Sequence, residues 1–119
     1  MSTILIIDDT ETDRQLAGKV VAGLGHNPVY AADGAQALTK AKELIPDMIL
    51  LDIVMPGKDG FATCRQLKKD PATAGIPVVL VSSKSGDTDK FWAKKQGADD
   101  YVTKPYTPDT LQAVIKTYV

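Results

Sequence analysis

The sequence predicts an α/β fold: one five-stranded parallel sheet, strand order 2-1-3-4-5, with helices on both faces. Three observations predict it. Short apolar runs, rich in β-branched residues, alternate with longer amphipathic stretches. The alternation repeats five times without an internal sequence repeat. The chain has 119 residues, enough for one compact domain of this size.

The strand-forming runs are Ile4–Ile7, Val29–Ala31, Met48–Leu51, Val78–Val81 and the short Tyr101–Val102. Runs without polar alternation suit strands covered on both faces. Between them lie five helical patterns. In the first, Leu16, Val20, Val21 and Leu24 form one apolar stripe, Thr10 to Asp13 resembles a capping box, and Gly25 ends the helix. The second runs from Ala35 to Leu44 and stops before Pro46. The third runs from Phe61 to Lys69, ahead of Pro71, and the fourth from Thr88 to Gln96, ahead of Gly97. In the fifth, Leu111, Val114, Ile115 and Tyr118 share a face, and Pro108 suits the first turn. Consecutive strand–helix units imply right-handed crossovers. The order 2-1-3-4-5 is the flavodoxin-like solution for five strands, adopted by analogy.

Composition narrows the function. Apolar residues make up 44% and charged residues 24%, ordinary for a globular domain. The formal net charge of −1 lacks the basic excess of a nucleic-acid binder. No apolar run reaches the roughly 20 residues of a membrane helix, and the start lacks the basic and apolar regions of a signal peptide. The single cysteine, Cys64, allows neither an intrachain disulfide nor a cysteine metal cluster, which is compatible with a reducing cytoplasmic setting. It reads as a packing residue of the third helix, and His26 as a structural loop residue. The adjacent Phe91 and Trp92 point about 100° apart on the fourth helix, so one can face the core while the other lies near the surface.

In open α/β sheets, functional groups gather at the carboxyl ends of the strands. There the chain places Asp8 and Asp9, then Asp52, Ser82 and Lys104. Three carboxylates brought together repel one another, and a divalent cation relieves that penalty. Oxygen ligands without His or Cys favour a hard ion such as Mg²⁺. A carboxylate can attack phosphorus to give an aspartyl phosphate. The Lys104 ammonium offsets phosphoryl charge, and the Ser82 hydroxyl can donate to a phosphoryl oxygen.

These residues carry a resemblance along the whole chain. The pair Asp8-Asp9, Asp52 within Leu50-Leu51-Asp52-Ile53-Val54-Met55-Pro56-Gly57, Ser82 and Lys104-Pro105 resemble the signature of response-regulator receiver domains. The resemblance implies Asp52 as phosphoacceptor. It implies Asp9, Asp52 and the Val54 carbonyl as Mg²⁺ ligands, with Asp8 acting mainly through a bound water. It also implies a cis Lys104-Pro105 bond, and Ser82 and Tyr101 as the switch pair. The implied donor is a histidine kinase of the CheA kind, and the implied target is a protein bound by the helix 4–strand 5–helix 5 face. The chain is expected to be a signalling module over residues 1–119, without an output domain and not an enzyme in its own right. The stretch Asp87 to Ala98 further resembles regulators of type IV pilus twitching motility of the PilH kind, with a phosphorelay intermediate as the alternative. The chain departs from the family pattern at Ser83, where Ala or Gly is common, and Lys84 follows it.

Two other classes fit less well. A dehalogenase-like phosphatase needs a second acid two residues after its nucleophile, where this chain has Val54. A flavin or nucleotide binder needs a glycine- and hydroxyl-rich loop after the first strand, where this chain has Asp8-Asp9-Thr10-Glu11.

Overall fold

A computed structural model describes residues 1–53, 59–84 and 86–119. Five strands and five helices alternate: β1 (Thr3–Ile7), α1 (Glu11–Gly23), β2 (Asn27–Ala31), α2 (Gly34–Leu44), β3 (Met48–Asp52), α3 (Gly60–Lys69), β4 (Val78–Ser82), α4 (Asp87–Lys95), β5 (Asp100–Thr103) and α5 (Pro108–Tyr118). All pairings are parallel, and the order is β2-β1-β3-β4-β5. Fold class and strand order are those expected from the sequence.

Strand alternation sorts the core into two layers. Leu5, Ile7, Ile49, Leu51, Val78 and Leu80 pack against Ala37 and Ala41 of α2, Cys64 and Leu67 of α3, and Ala93 of α4. Ile4, Ile6, Met48, Leu50, Val79 and Val81 turn the other way, onto Ala17 and Val21 of α1 and Leu111 and Ile115 of α5. β3 and β4 are buried throughout, which explains their uninterrupted apolar runs. Edge strand β2 is partly exposed and tolerates Pro28, which cannot donate to a sheet ladder.

Helix termini follow local chemistry. Asp33, Asp59 and Thr107 cap α2, α3 and α5 by accepting from the amides of Gln36, Ala62 and Thr110. Gly25 and Gly97 take positive φ after α1 and α4, as expected of helix-ending glycines. Ile45 closes α2 in the left-handed region at φ 44°, a conformation costly for a β-branched residue.

Three expectations need correction. The Thr10–Asp13 capping box does not form: Thr10 makes no side-chain cap, and Asp13 pairs with Lys104 instead. Leu16 is 52% exposed, because the buried face of α1 is carried by Ala17, Gly18 and Val21. Phe91 and Trp92 are both exposed, because Ala93 is the residue that turns α4 toward the core. Their rings meet edge to face at 5.8 Å, and Lys95 sits over Phe91.

Candidate functional site

The parallel sheet brings the strand ends to one rim. Asp8 directly follows β1, Asp52 ends β3, Ser82 ends β4, and Lys104 directly follows β5. Backbone hydrogen bonds fix their heights: Asp8 donates its amide to Ala31, Ile53 to Val81, and Lys104 to Ser82. Gly60 lies so close to the chain leaving β3 that a Cβ there would stand 2.3 Å from the Asp52 carbonyl oxygen. The start of α3 is thus pressed against the backbone that carries Asp52.

Carboxylate oxygens of Asp8, Asp9 and Asp52 lie within 4.8 Å of one another. Asp8 and Asp52 are buried, whereas Asp9 is exposed. The Asp8 Oδ1 accepts from the Thr10 amide at 3.0 Å, and the Arg14 guanidinium donates to the Asp8 carbonyl at 2.5 Å. The Lys104 ammonium reaches Asp8 Oδ2 at 2.8 Å, Asp13 Oδ2 at 3.0 Å and Asp52 Oδ2 at 3.5 Å. Burial works against its charge, but hydrogen bonds to Asp8 and Asp13 and the charge on Asp52 outweigh burial and raise its pKa. The Lys104-Pro105 peptide is cis, as expected.

Under the rim lies a cavity of about 10 Å³, bordered by Asp8, Asp13, Asp52 and Tyr106 among apolar side chains. Burial raises the Tyr106 phenol, Lys104 lowers it, and Asp13 and Asp8 raise it further. Ser82 is buried, and its Oγ accepts the Lys84 amide at 3.1 Å. The Tyr101 hydroxyl donates to the Lys84 carbonyl at 2.5 Å. Side chains from neighbouring strands therefore hold the same residue at the start of the β4–α4 turn.

The donor set fits a hard divalent cation. All three carboxylates offer oxygen, and the two buried ones, Asp8 and Asp52, share one ammonium with Asp13. The structure thus brings together Asp8, Asp9, Asp52 and Lys104, and places Ser82 and Tyr101 around Lys84. Val54 lies outside the described residues. Asp13 is the member that the sequence did not reveal. Its place at the start of α1 read as helix capping, and only the fold brings it to Lys104.

Residues 4–116 match the response regulator receiver domain family. The chain is 44% identical over 115 residues to Protein PilH of Pseudomonas aeruginosa, covering 97% of this chain and 95% of that protein. It is 38% identical to the DNA-binding response regulator MtrA of Mycolicibacterium smegmatis, covering 95% of this chain but only 48% of that longer protein. The fold superposes on chemotaxis protein CheY4 of Vibrio cholerae with a TM-score of 0.94 at 27% identity, covering 100% of this chain and 99% of the other.

Proposed function

Since this chain belongs to the family of response regulator receiver domains, we propose that Asp52 accepts a phosphoryl group from a histidine kinase and that the change is read on a protein-binding face. The observation that carries this reading is the Asp52 carboxylate. It is buried at the end of β3, beside Asp8 and Asp9, with the Lys104 ammonium 3.5 Å away.

In the step itself, an Asp52 oxygen attacks the phosphorus of a phosphohistidine. The new P–O bond forms as the P–N bond breaks, and the donor imidazole leaves. Mg²⁺ held by Asp8, Asp9 and Asp52 would supply charge neutralisation for the phosphoryl oxygens. Lys104 exchanges a carboxylate contact for a phosphoryl oxygen and so stabilises charge where it accumulates. The Ser82 hydroxyl, whose oxygen accepts from the Lys84 amide, can turn its proton toward a phosphoryl oxygen. Movement of Ser82 toward the phosphoryl group would shift Lys84, and with it the Tyr101 contact. That links the acceptor to the face formed by α4, β5 and α5, where a downstream protein would bind.

The similarity to PilH supports an output in chemotaxis-like control of type IV pilus twitching motility, with a CheA-like kinase as donor. Such a chain would work in the cytoplasm. No described helix is long and apolar enough to cross a membrane. The test is intact mass after incubation with Mg²⁺ and a small phosphodonor. The wild type is expected to gain one phosphoryl group and Asp52→Asn none; equal gain in both, or none in either, refutes the reading.

A further inference from the structure

The geometry points to Asp13 as a positioning residue that competes with the phosphoryl group for Lys104 and thereby limits the stability of the phosphorylated state. This rests on the reading of Asp52 as phosphoacceptor and extends it to a residue outside the carboxylate cluster.

Asp13 lies in the first turn of α1, yet its carboxylate turns inward across the rim rather than serving the helix. Its Oδ2 lies 3.0 Å from the Lys104 Nζ, closer than the Asp52 oxygen at 3.5 Å. The Lys104 side chain is only 20% exposed, and that of Asp13 is 36% exposed, so the pair is partly shielded from water. An ammonium offers three donors. Asp8 and Asp13 take hydrogen bonds from it, while Asp52 lies at longer ion-pair range.

A phosphoryl group on Asp52 brings negative oxygens to this ammonium. Asp8 and Asp52 belong to the carboxylate cluster suited to a cation, which would neutralise them when the phosphoryl group arrives. Asp13 is outside that cluster and keeps its charge. It therefore remains a rival for Lys104, and its carboxylate repels the incoming group. Its removal should free for the phosphoryl group the ammonium donor that Asp13 now takes. Partly exposed ion pairs are typically worth up to about 1 kcal/mol, which corresponds to a factor of about five.

The test titrates the full chain with beryllofluoride, a phosphoryl mimic, in saturating Mg²⁺, and follows amide NMR shifts that also report folding. Asp13→Asn is expected to lower the half-saturating concentration about threefold to fivefold and to lengthen the lifetime of the phosphorylated protein in the same direction. Asp13→Glu, which retains the charge, is expected to behave as the wild type. A merely structural role would lower thermal stability without tightening the mimic. Unchanged or weaker binding in Asp13→Asn, or equal tightening in Asp13→Glu, overturns the inference. If Asp13→Asn unfolds, Asp13→Ser carries the same expectation. Failure of the wild type to bind the mimic at all would instead overturn the phosphoacceptor reading beneath it.

Discussion

Replacing Asp52 with Asn removes one negative charge from a crowded rim, and its effect on stability should depend on metal. At an effective dielectric constant of about 20, unit charges 4.8 Å apart repel by roughly 3.5 kcal/mol. Asp52 has two carboxylate neighbours at or inside this distance, Asp8 and Asp9, so repulsion is at least roughly 7 kcal/mol. Lys104 at 3.5 Å returns about 4.7 kcal/mol of attraction. The balance is repulsive by about 2 kcal/mol, and exposure of Asp9 to solvent trims it to about 1–2 kcal/mol. Without metal, Asp52→Asn should therefore be more stable than the wild type, by about 4–8 °C in thermal midpoint for a domain of this size. The assay is thermal unfolding by circular dichroism in EDTA, repeated with Mg²⁺. Binding at a hundredfold over Kd stabilises by about 2.7 kcal/mol. The wild type should gain on this scale, whereas the variant, lacking one ligand, should gain less. If Asp52→Asn melts below the wild type in EDTA, attraction to Lys104 outweighs carboxylate repulsion, and the electrostatic reason for a metal at this rim fails.

Two further predictions test the scaffold. Burial raises the Cys64 thiol from 9.0 to about 11, against a smaller lowering by Lys68. Its contribution to stability is fully present below pH 9 and should be lost as pH rises toward 11, amounting to roughly 2–3 kcal/mol. Cys64→Ala should show a flatter alkaline stability profile than the wild type in urea unfolding, and parallel profiles would contradict this. Ile45 is half exposed at positive φ, so Ile45→Gly should relieve more strain than it adds in chain entropy and raise stability by about 0.5–1 kcal/mol. A lower melting temperature in that variant would show that Ile45 makes packing contacts outweighing its strain.

Legibility in the sequence followed the range of the interactions. β1, β3 and β4 were plain because strands covered on both faces need unbroken apolar runs. β2 and β5 were short signals because edge strands are partly exposed and admit Asn27, Pro28 and Asp100. Asp8, Asp52, Ser82 and Lys104 were legible because each sits at or just beyond a strand end, where chain order alone predicts convergence. Asp13 was hidden because its partner lies 91 residues away, and its local spacing imitates a helix cap. Leu16 misled for a related reason. Apolar spacing marks a stripe, but small residues such as Ala17 and Gly18 set how closely α1 approaches the sheet, and they turned Leu16 outward. Ala93 had the same effect on α4, leaving Phe91 and Trp92 both outside.

Trapping the acyl phosphate directly identifies the carboxylate that accepts the phosphoryl group. After brief exposure to Mg²⁺ and a small phosphodonor, borohydride reduction converts a phosphorylated aspartate into homoserine, which peptide sequencing by mass spectrometry locates. Homoserine at position 52 alone is the predicted result. Homoserine at position 8, 9 or 13, or a borohydride-stable phosphate on Ser82, would contradict the account.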